Sequence, residues 1–198
     1  CKGQEAGGIY LELCDAAVFE VSCNIIHHCE STTDGGAVTV IGSTPLLINN
    51  TFADNTAQGA GGGFRAQGSA IEVVNTILWN NTATSGPAGS LDLLASVPSV
   101  VDMDYCDVKG GSASFDVVVG CTLNYGAANI DADPLFLDTA ADDYHIPFDS
   151  PCRKAGNKHP SLPGTDFEGD SIVGLFLLPE IGADEFATHF YVRGRIAT

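Results

Sequence analysis

The chain has 198 residues, with 25 acidic and 8 basic side chains that give a formal net charge of −17. This length is sufficient for one domain with a sizeable core. The shortage of Lys and Arg argues against a nucleic-acid partner, because binding to a phosphate backbone draws on cations that displace counterions. Apolar runs stay below the ~18–20 residues of a transmembrane helix, so the sequence predicts no membrane span.

A glycine-led repeat occupies the first 110 residues. Each copy begins with a glycine cluster, at 7–8, 35–36 and 61–63. Each copy ends in an Asn-rich segment, at 24–26, 50–55 and 75–81. Equivalent positions lie 25 to 28 residues apart. A fixed period of this size indicates a solenoid, because a single repeat cannot bury its own apolar face.

Each repeat is expected to contain three strands. The first strand position comprises 9–13 and 91–93. The second comprises 18–21, 46–48, 70–74 and 97–101, and the third comprises 25–26, 51–52, 77–78 and 105–106. Alternation of apolar and polar residues predicts inward-pointing side chains at Ile9, Leu11, Leu13, Leu91 and Leu93. The repeat also predicts that Ile9, Ala37 and Phe64 lie in vertical register.

Other solenoids with a similar period do not fit these residues. Leucine-rich repeats require a Leu-x-x-Leu-x-Leu-x-x-Asn string, which no copy contains. Helical repeats require a sustained helical apolar face, and no window of about 12 residues shows one. The sequence therefore predicts an all-β fold, a single-stranded parallel β-helix in which each coil adds one strand to each sheet.

One domain with three parts is expected. Residues 1–110 form coils that begin inside a repeat, so we expect further coils, a cap or another subunit to cover the first one. Residues 111–186 form the last coils and an irregular C-terminal cap, where prolines and acidic residues gather. Residues 187–198 form a strand-like tail. Self-assembly through the open first coil or this tail is one expected kind of partnership.

Seven cysteines are present, at 1, 14, 23, 29, 106, 121 and 152. No Cys-x-x-Cys pair occurs, so a zinc ribbon or a thioredoxin-type site has no support. Two interpretations stay open at this point. Some cysteines form disulfides in an exported protein, or they serve as small buried hydrophobic residues within the stack.

The C-terminal part carries an ordered set of short motifs, at 129–138, 143–146, 150–152, 155–157, 165–170 and 181–186. This set resembles the end of choice-of-anchor Q domain proteins, and the repeats are similar to those of polymorphic outer-membrane proteins. The resemblance implies a right-handed parallel β-helix in a bacterial protein that is secreted or exposed on the cell surface. It says less about function, because most members have no assigned activity. The repeat, the cap and the missing catalytic residues of β-helix pectinases together predict adhesion, glycan binding or assembly of an extracellular structure. Arg153-Lys154 depart from the acidic residue that the family usually has there.

The recurring asparagines predict a structural ladder through Asn24, Asn50 and Asn75. Side-chain amides at one turn of successive coils can hydrogen-bond along the stack. The alternative is a stripe of amides that binds sugars. The first interpretation concerns stability, and the second concerns function.

Asp102 and Asp104 are the candidates for chemistry on a coil. Alternation places both on one side of a strand, where they could bind Ca²⁺ or act as the carboxylate pair of a glycosidase. The simpler alternative is that both are solvated residues at the edge of the coil. Lys109 is a nearby candidate base for a lyase. The alternative function is therefore a polysaccharide lyase or glycoside hydrolase acting on an acidic glycan, while the main interpretation is non-catalytic.

Two further groups could hold a metal ion. Asp166, Glu168 and Asp170 resemble a short calcium loop, although turn-capping carboxylates explain the same pattern. His27 and His28, beside Cys29, invite a metal interpretation, but adjacent residues in an extended segment seldom bind one ion together. We therefore expect no metal beyond candidate Ca²⁺ binding, and no other cofactor, since no nucleotide or nucleophile motif is present.

Overall fold

The computed structural model describes residues 1–14, 19–86, 89–92, 97–172 and 178–184. Within them, short strands dominate, and the helical content is two 3-10 helices, Gly111–Ser114 and Thr139–Ala141. The strands of these residues pair in parallel, and they form a β-solenoid of about four turns. The predicted all-β parallel β-helix is confirmed.

The strands are short because each spans one side of a coil. Their bounds are β1 (Lys2–Gly3), β2 (Ile9–Glu12), β3 (Glu20–Ser22), β4 (Ile25–His27), β5 (Glu30–Ser31), β6 (Val38–Ile41), β7 (Leu46–Ile48), β8 (Thr51–Ala53), β9 (Thr56–Ala57), β10 (Phe64–Gln67), β11 (Ala70–Val74), β12 (Ile77–Trp79), β13 (Thr82–Ala83), β14 (Gly89–Asp92), β15 (Val100–Asp104), β16 (Asp107–Val108), β17 (Phe115–Val117) and β18 (Thr122–Tyr125).

Each complete coil has four strands, not the three that the sequence predicts. The sheets have the orders β1-β5-β9-β13, β2-β6-β10-β14-β17, β3-β7-β11-β15-β18 and β4-β8-β12-β16. We call them the first, second, third and fourth sheet in this order. The first sheet was missed because its strands contain only two residues each, which is too short for a detectable alternation.

The predicted register is wrong by one residue in the second coil. Ile9 pairs with Val38, and Val38 pairs with Phe64, while Ala37 lies one step earlier. The last of the predicted third strands is also misplaced. Asp107 pairs with Ile77, so this strand spans 107–108 and not 105–106. Tyr105 instead occupies the turn, with φ 53°.

The interior of the coils is aliphatic and aromatic. Its buried side chains include Val38, Val40, Leu47, Phe52, Phe64, Ala66, Ile71, Val73, Leu78, Val101 and Met103. Ile9 and Leu11 pack against this core as predicted, but Leu13 is 62% exposed because its positive φ of 47° turns the chain outward. Leu93 lies outside the described residues, and so does the side chain of Leu91.

The stack continues beyond residue 110, and the irregular segment packs along its side. β17 and β18 add a further partial coil, and Ile130 forms a parallel bridge with Asp107. Farther along, Ile146, Cys152 and Ile181 pack on Ile77, which faces outward from the fourth sheet. Leu162 covers the outer face of the third sheet in the same way. The C-terminal segment is therefore a lateral cover over two sheets, and residues 187–198 lie outside the described part.

Candidate functional site

Stacked polar side chains join one coil to the next at the corners. Asn24 donates its side-chain amide to Asn50 Oδ1 at 3.1 Å, as a ladder requires. The next position in that row is Thr76, whose hydroxyl accepts from the Asn50 backbone at 3.4 Å. Asn75 lies in the neighbouring row, where it donates to Asn49 Oδ1 at 3.1 Å. The single ladder through Asn24, Asn50 and Asn75 is thus corrected to two adjacent rows.

Sequence reasoning missed a third row, which runs through Asn55 and Asn81. Asn55 donates to Asn81 Oδ1 at 3.0 Å and accepts from the Cys29 backbone at 2.9 Å. The available signal was the residue type before each asparagine, because Asp54 and Asn80 are of the types that most readily adopt the positive φ they have here. Most members of the three rows are buried, which makes them structural and leaves no amide stripe for a sugar along them.

Asp102 and Asp104 both face an open cleft on the outer side of the third sheet. The cleft has a volume of about 530 Å³, and its polar lining comprises Glu72, Asp102, Asp104 and Asn124. Glu72 pairs in register with Asp102, and Asp102 pairs with Asn124, so these three form one row across neighbouring strands. Asn124 donates to Asp102 Oδ1 at 2.6 Å.

The two aspartates are not equivalent. Asp104 Oδ1 accepts from the backbone N–H groups of Tyr105 at 3.1 Å and Ala128 at 3.3 Å. Asp104 therefore stabilises the turn after β15 and links it to the loop that contains Ala128, which is a structural role. Asp102 is exposed and presents its carboxylate with the Asn124 amide to solvent.

Lys109 does not lie with these aspartates. Its Nζ donates to Asn80 and lies 5.3 Å from the centre of the Trp79 ring, on the side of the fourth sheet. The residues lining the cleft do not include it. The combination of Asp102, Asp104 and Lys109 that the sequence suggests is therefore not assembled by the fold.

The candidate calcium loop is a hydrogen-bonded turn. Asp166 is 6% exposed, and its Oδ1 accepts from the backbone N–H groups of Glu168 at 2.9 Å and Asp170 at 2.8 Å. The Asp166 backbone N–H also donates to the Asp170 carbonyl oxygen at 2.8 Å. This geometry matches the turn-capping alternative, because the Asp166 oxygen that would bind Ca²⁺ already has two donors.

Glu168 belongs to a second cluster, formed with His145 and Asp184. His145 Nε2 lies 3.3 Å from Glu168, and His145 Nδ1 contacts Asp143. Burial alone would lower the pKa of His145, but the hydrogen bonds to Asp143 and Glu168 and the negative charges of Asp184 and Asp143 outweigh burial and raise it. With both ring nitrogens engaged, this cluster is an ion-pair network within the lateral cover.

A third cluster lies at a corner between β4 and β5. His27, His28 and Asp142 place one donor atom each within 4.8 Å of one another. Cys29, which the sequence places beside them, is buried in the stack and is not part of the cluster. The cluster brings together two residues of a coil and one of the lateral cover, so no local motif encodes it.

Three cysteines behave as interior residues. Cys29, Cys106 and Cys152 are buried free thiols. Burial raises the pKa of the Cys106 thiol to about 12, so it stays protonated and unreactive at neutral pH. For these three, the alternative of small buried hydrophobic residues describes the structure.

The parallel sheets and the polar rows at the turns between strands together define a parallel β-solenoid with a laterally packed C-terminal cover. In the described part of the chain, no helix combines the length and apolar character needed to cross a bilayer. Comparison with family models, with curated proteins and with solved structures gave no significant match to this chain.

Proposed function

We propose that this chain is a non-catalytic β-helix module of a secreted or cell-surface protein, and that it binds a neutral glycan in the cleft of the third sheet. The observation that carries the proposal is the exposed row of Glu72, Asp102 and Asn124 across neighbouring strands. Carboxylate and amide groups together supply acceptors and donors, which is what the hydroxyl groups of a sugar need. The resemblance to choice-of-anchor Q proteins supports the same location and role.

The spacing and the charge of this row of side chains restrict the class of ligand that it would bind. Adjacent strands lie about 4.8 Å apart, so successive polar groups repeat along the solenoid axis much as hydroxyl groups repeat along a sugar chain. The lining carries three carboxylates, and the whole chain has a net charge of −17. Repulsion therefore disfavours an acidic glycan and favours a neutral one.

The lateral cover bounds the cleft at one end. His159 Nε2 lies 3.3 Å from Glu72 Oε1, and Leu162 packs on Val74 just beyond. Asp102 and Asn124 stay uncovered at the other end, where a ligand could enter. The rigid strands β11, β15 and β18 position the row, as expected for a preformed binding surface.

Binding can be tested by a glycan array, followed by calorimetric titration of the hits. Asn124→Ala and Asp102→Ala should each weaken binding about tenfold or more, because each removes a polar partner of the sugar. Asp116→Ala is the matched control, since Asp116 is also an exposed strand aspartate, on β17 of the second sheet. Absence of any glycan ligand, or unchanged affinity in both cleft variants, would overturn the proposal.

A second candidate function is glycan cleavage, because Asp102 and Asp104 share one side of β15. The Cα atoms of residues two apart on a strand lie about 6.6 Å apart, a backbone spacing compatible with the carboxyl separation that an inverting glycosidase needs. Release of reducing ends that is abolished by Asp104→Asn would favour this alternative. Assembly through the first coil or the tail stays a prediction from the sequence.

A further inference from the structure

His27 and His28 converge on one point in spite of being adjacent. His27 ends β4, and His28 has a left-handed backbone with φ 47°. The equivalent corner of the next two coils contains Asp54 and Asn80, with φ 56° and 53°. This turn removes the alternation of an extended strand, so both rings swing to the same side and their Nδ1 atoms lie 3.2 Å apart.

The lateral cover supplies a third donor at the same point. Asp142 follows the 3-10 helix Thr139–Ala141, and its Oδ1 lies 3.4 Å from His27 Nδ1 and 3.3 Å from His28 Nδ1. The three donor atoms thus form a nearly equilateral triangle. A tetrahedral site with metal–ligand bonds of about 2.0–2.1 Å has donors about 3.3 Å apart, so the triangle matches one face of such a site.

We propose that His27, His28 and Asp142 bind a divalent first-row transition metal ion, with Zn²⁺ as the reference ion. Two imidazole nitrogens and one carboxylate are ligands that Zn²⁺, Cu²⁺ and Ni²⁺ accept, whereas Ca²⁺ prefers oxygen atoms alone. The side chains are 28%, 54% and 64% exposed, so an ion can enter from solution and keep a water molecule in the fourth position.

The buried Tyr144 and the partly buried Phe136 support the site. The Tyr144 ring packs on His27 with a centroid distance of 4.8 Å, and Phe136 packs on Tyr144 at 5.1 Å. The Tyr144 hydroxyl donates to Asp54 Oδ2 at 2.7 Å, which fixes the chain two residues after Asp142. A site supported in this way needs little rearrangement when it binds an ion. Metal binding would also tie the lateral cover to the stack, since the ligands come from both.

Calorimetric titration of the full chain, freed of metal by chelation, with ZnCl₂ tests the proposal. We expect one equivalent to bind, a rise in Tm with Zn²⁺, and tetrahedral visible absorption when Co²⁺ replaces Zn²⁺. His28→Asn and Asp142→Asn should each lower the affinity about tenfold or more. Asn suits both positive-φ positions: the coil position equivalent to His28 already contains Asn80, and Asn keeps the size and shape of Asp142, whose φ is 60°.

Glu168→Gln is the matched control, because it removes one carboxylate of the His145 cluster and leaves the His27 corner intact. Its Zn²⁺ affinity should equal that of the unmodified chain. Circular dichroism spectra confirm that each variant is folded before it is compared. The proposal is overturned if the unmodified chain binds no stoichiometric Zn²⁺, if either corner variant binds as tightly, or if the loss appears in Glu168→Gln instead.

Discussion

Tyr144 donates its hydroxyl hydrogen to Asp54 Oδ2 at 2.7 Å, and this bond joins the lateral cover to a corner of the stack. Asp54 takes the positive φ of the turn, while Tyr144 is 1% exposed between Phe136 and His27. Burial and the Asp54 carboxylate both raise the pKa of Tyr144, so the hydroxyl remains a donor at all ordinary pH values. A residue far along the chain thereby completes a turn of an early coil.

Tyr144→Phe should lower the free energy of unfolding by about 1–2 kcal/mol, because the ring is kept and the bond to a carboxylate is lost. Urea unfolding monitored by fluorescence measures the change. Tyr10→Phe, at a 40% exposed position on β2, should change the stability by less than about 0.5 kcal/mol. Equal effects of the two changes would contradict the role given to the Asp54 bond.

Gly36→Ala should destabilise the stack by more than about 2 kcal/mol, because a methyl group has no room between coils. A Cβ atom at Gly36 would lie 1.9 Å from the carbonyl oxygen of Gly62 in the next coil. Gly164→Ala is the control, since a Cβ atom at Gly164 would have no other atom within 4 Å. Thermal melting compares the two variants, and a Tm for Gly36→Ala equal to that of the control would refute this prediction.

Asn55→Ala should cost about 2–4 kcal/mol, since it removes three hydrogen bonds of a fully buried side chain, two of them buried and one partly buried. The Asn55 side chain donates to Ile26 O at 2.8 Å and to Asn81, and it accepts from the Cys29 backbone. Asn124→Ala, on the exposed outer face, should cost less than about 0.5 kcal/mol. Guanidinium unfolding measures both values, and a mild effect at Asn55 would show that the row adds little stability.

Stability should fall as the pH rises from about 4 to 7. Burial raises the pKa of Asp107 to about 6 despite hydrogen bonds from Cys152 and Ala132, and burial also raises the pKa of Asp184 to about 6 and that of Glu180 to about 7. The native state therefore binds more protons than the unfolded state in this range, and the stabilising contribution is lost as the pH passes the folded-state pKa.

Asp107→Asn isolates one of these groups. The Asp107 carboxyl group contributes about 3 kcal/mol at most to the pH dependence of the unfolding free energy. Because the variant lacks this group, its stability should differ less between pH 5 and pH 7.5. Urea unfolding at both pH values gives the comparison, with Asp116→Asn as the exposed control. A stability that rises from pH 5 to 7.5, or a variant with the same pH dependence as the original chain, would rule out this assignment.

Local patterns predicted many strands of the second, third and fourth sheets and missed part of the register. The positions 46–48, 70–74 and 77–78 match β7, β11 and most of β12, because each has a clear apolar run between turn residues. The shift from Ala37 to Val38 arose because paired residues of β2 and β6 are 29 positions apart in the sequence, whereas those of β6 and β10 are 26 apart. When the number of residues per coil varies, the positions of the glycines alone do not give the strand register.

The candidate sites were less predictable than the fold. Asp102 was found because alternation places it on the outer face, and its row with Glu72 and Asn124 follows from strand pairing. Lys109 was assigned by closeness in sequence, but the turn at Tyr105 carries it to another sheet. His27 and His28 were judged unsuited to bind one ion because adjacent side chains of an extended strand point to opposite sides. The positive φ of His28 brings the two rings together, and a histidine residue does not by itself predict that backbone conformation.

By itself, the sequence determined the solenoid, since a repeated alternation of apolar strands and polar corners can bury its apolar side chains only by stacking. Only the tertiary structure decided where the irregular segment packs, and with it the meeting of Asp142 with His27 and His28. The physical reason is that coil stacking repeats a local pattern, whereas the path of the lateral cover depends on single contacts such as Ile181 on Ile77.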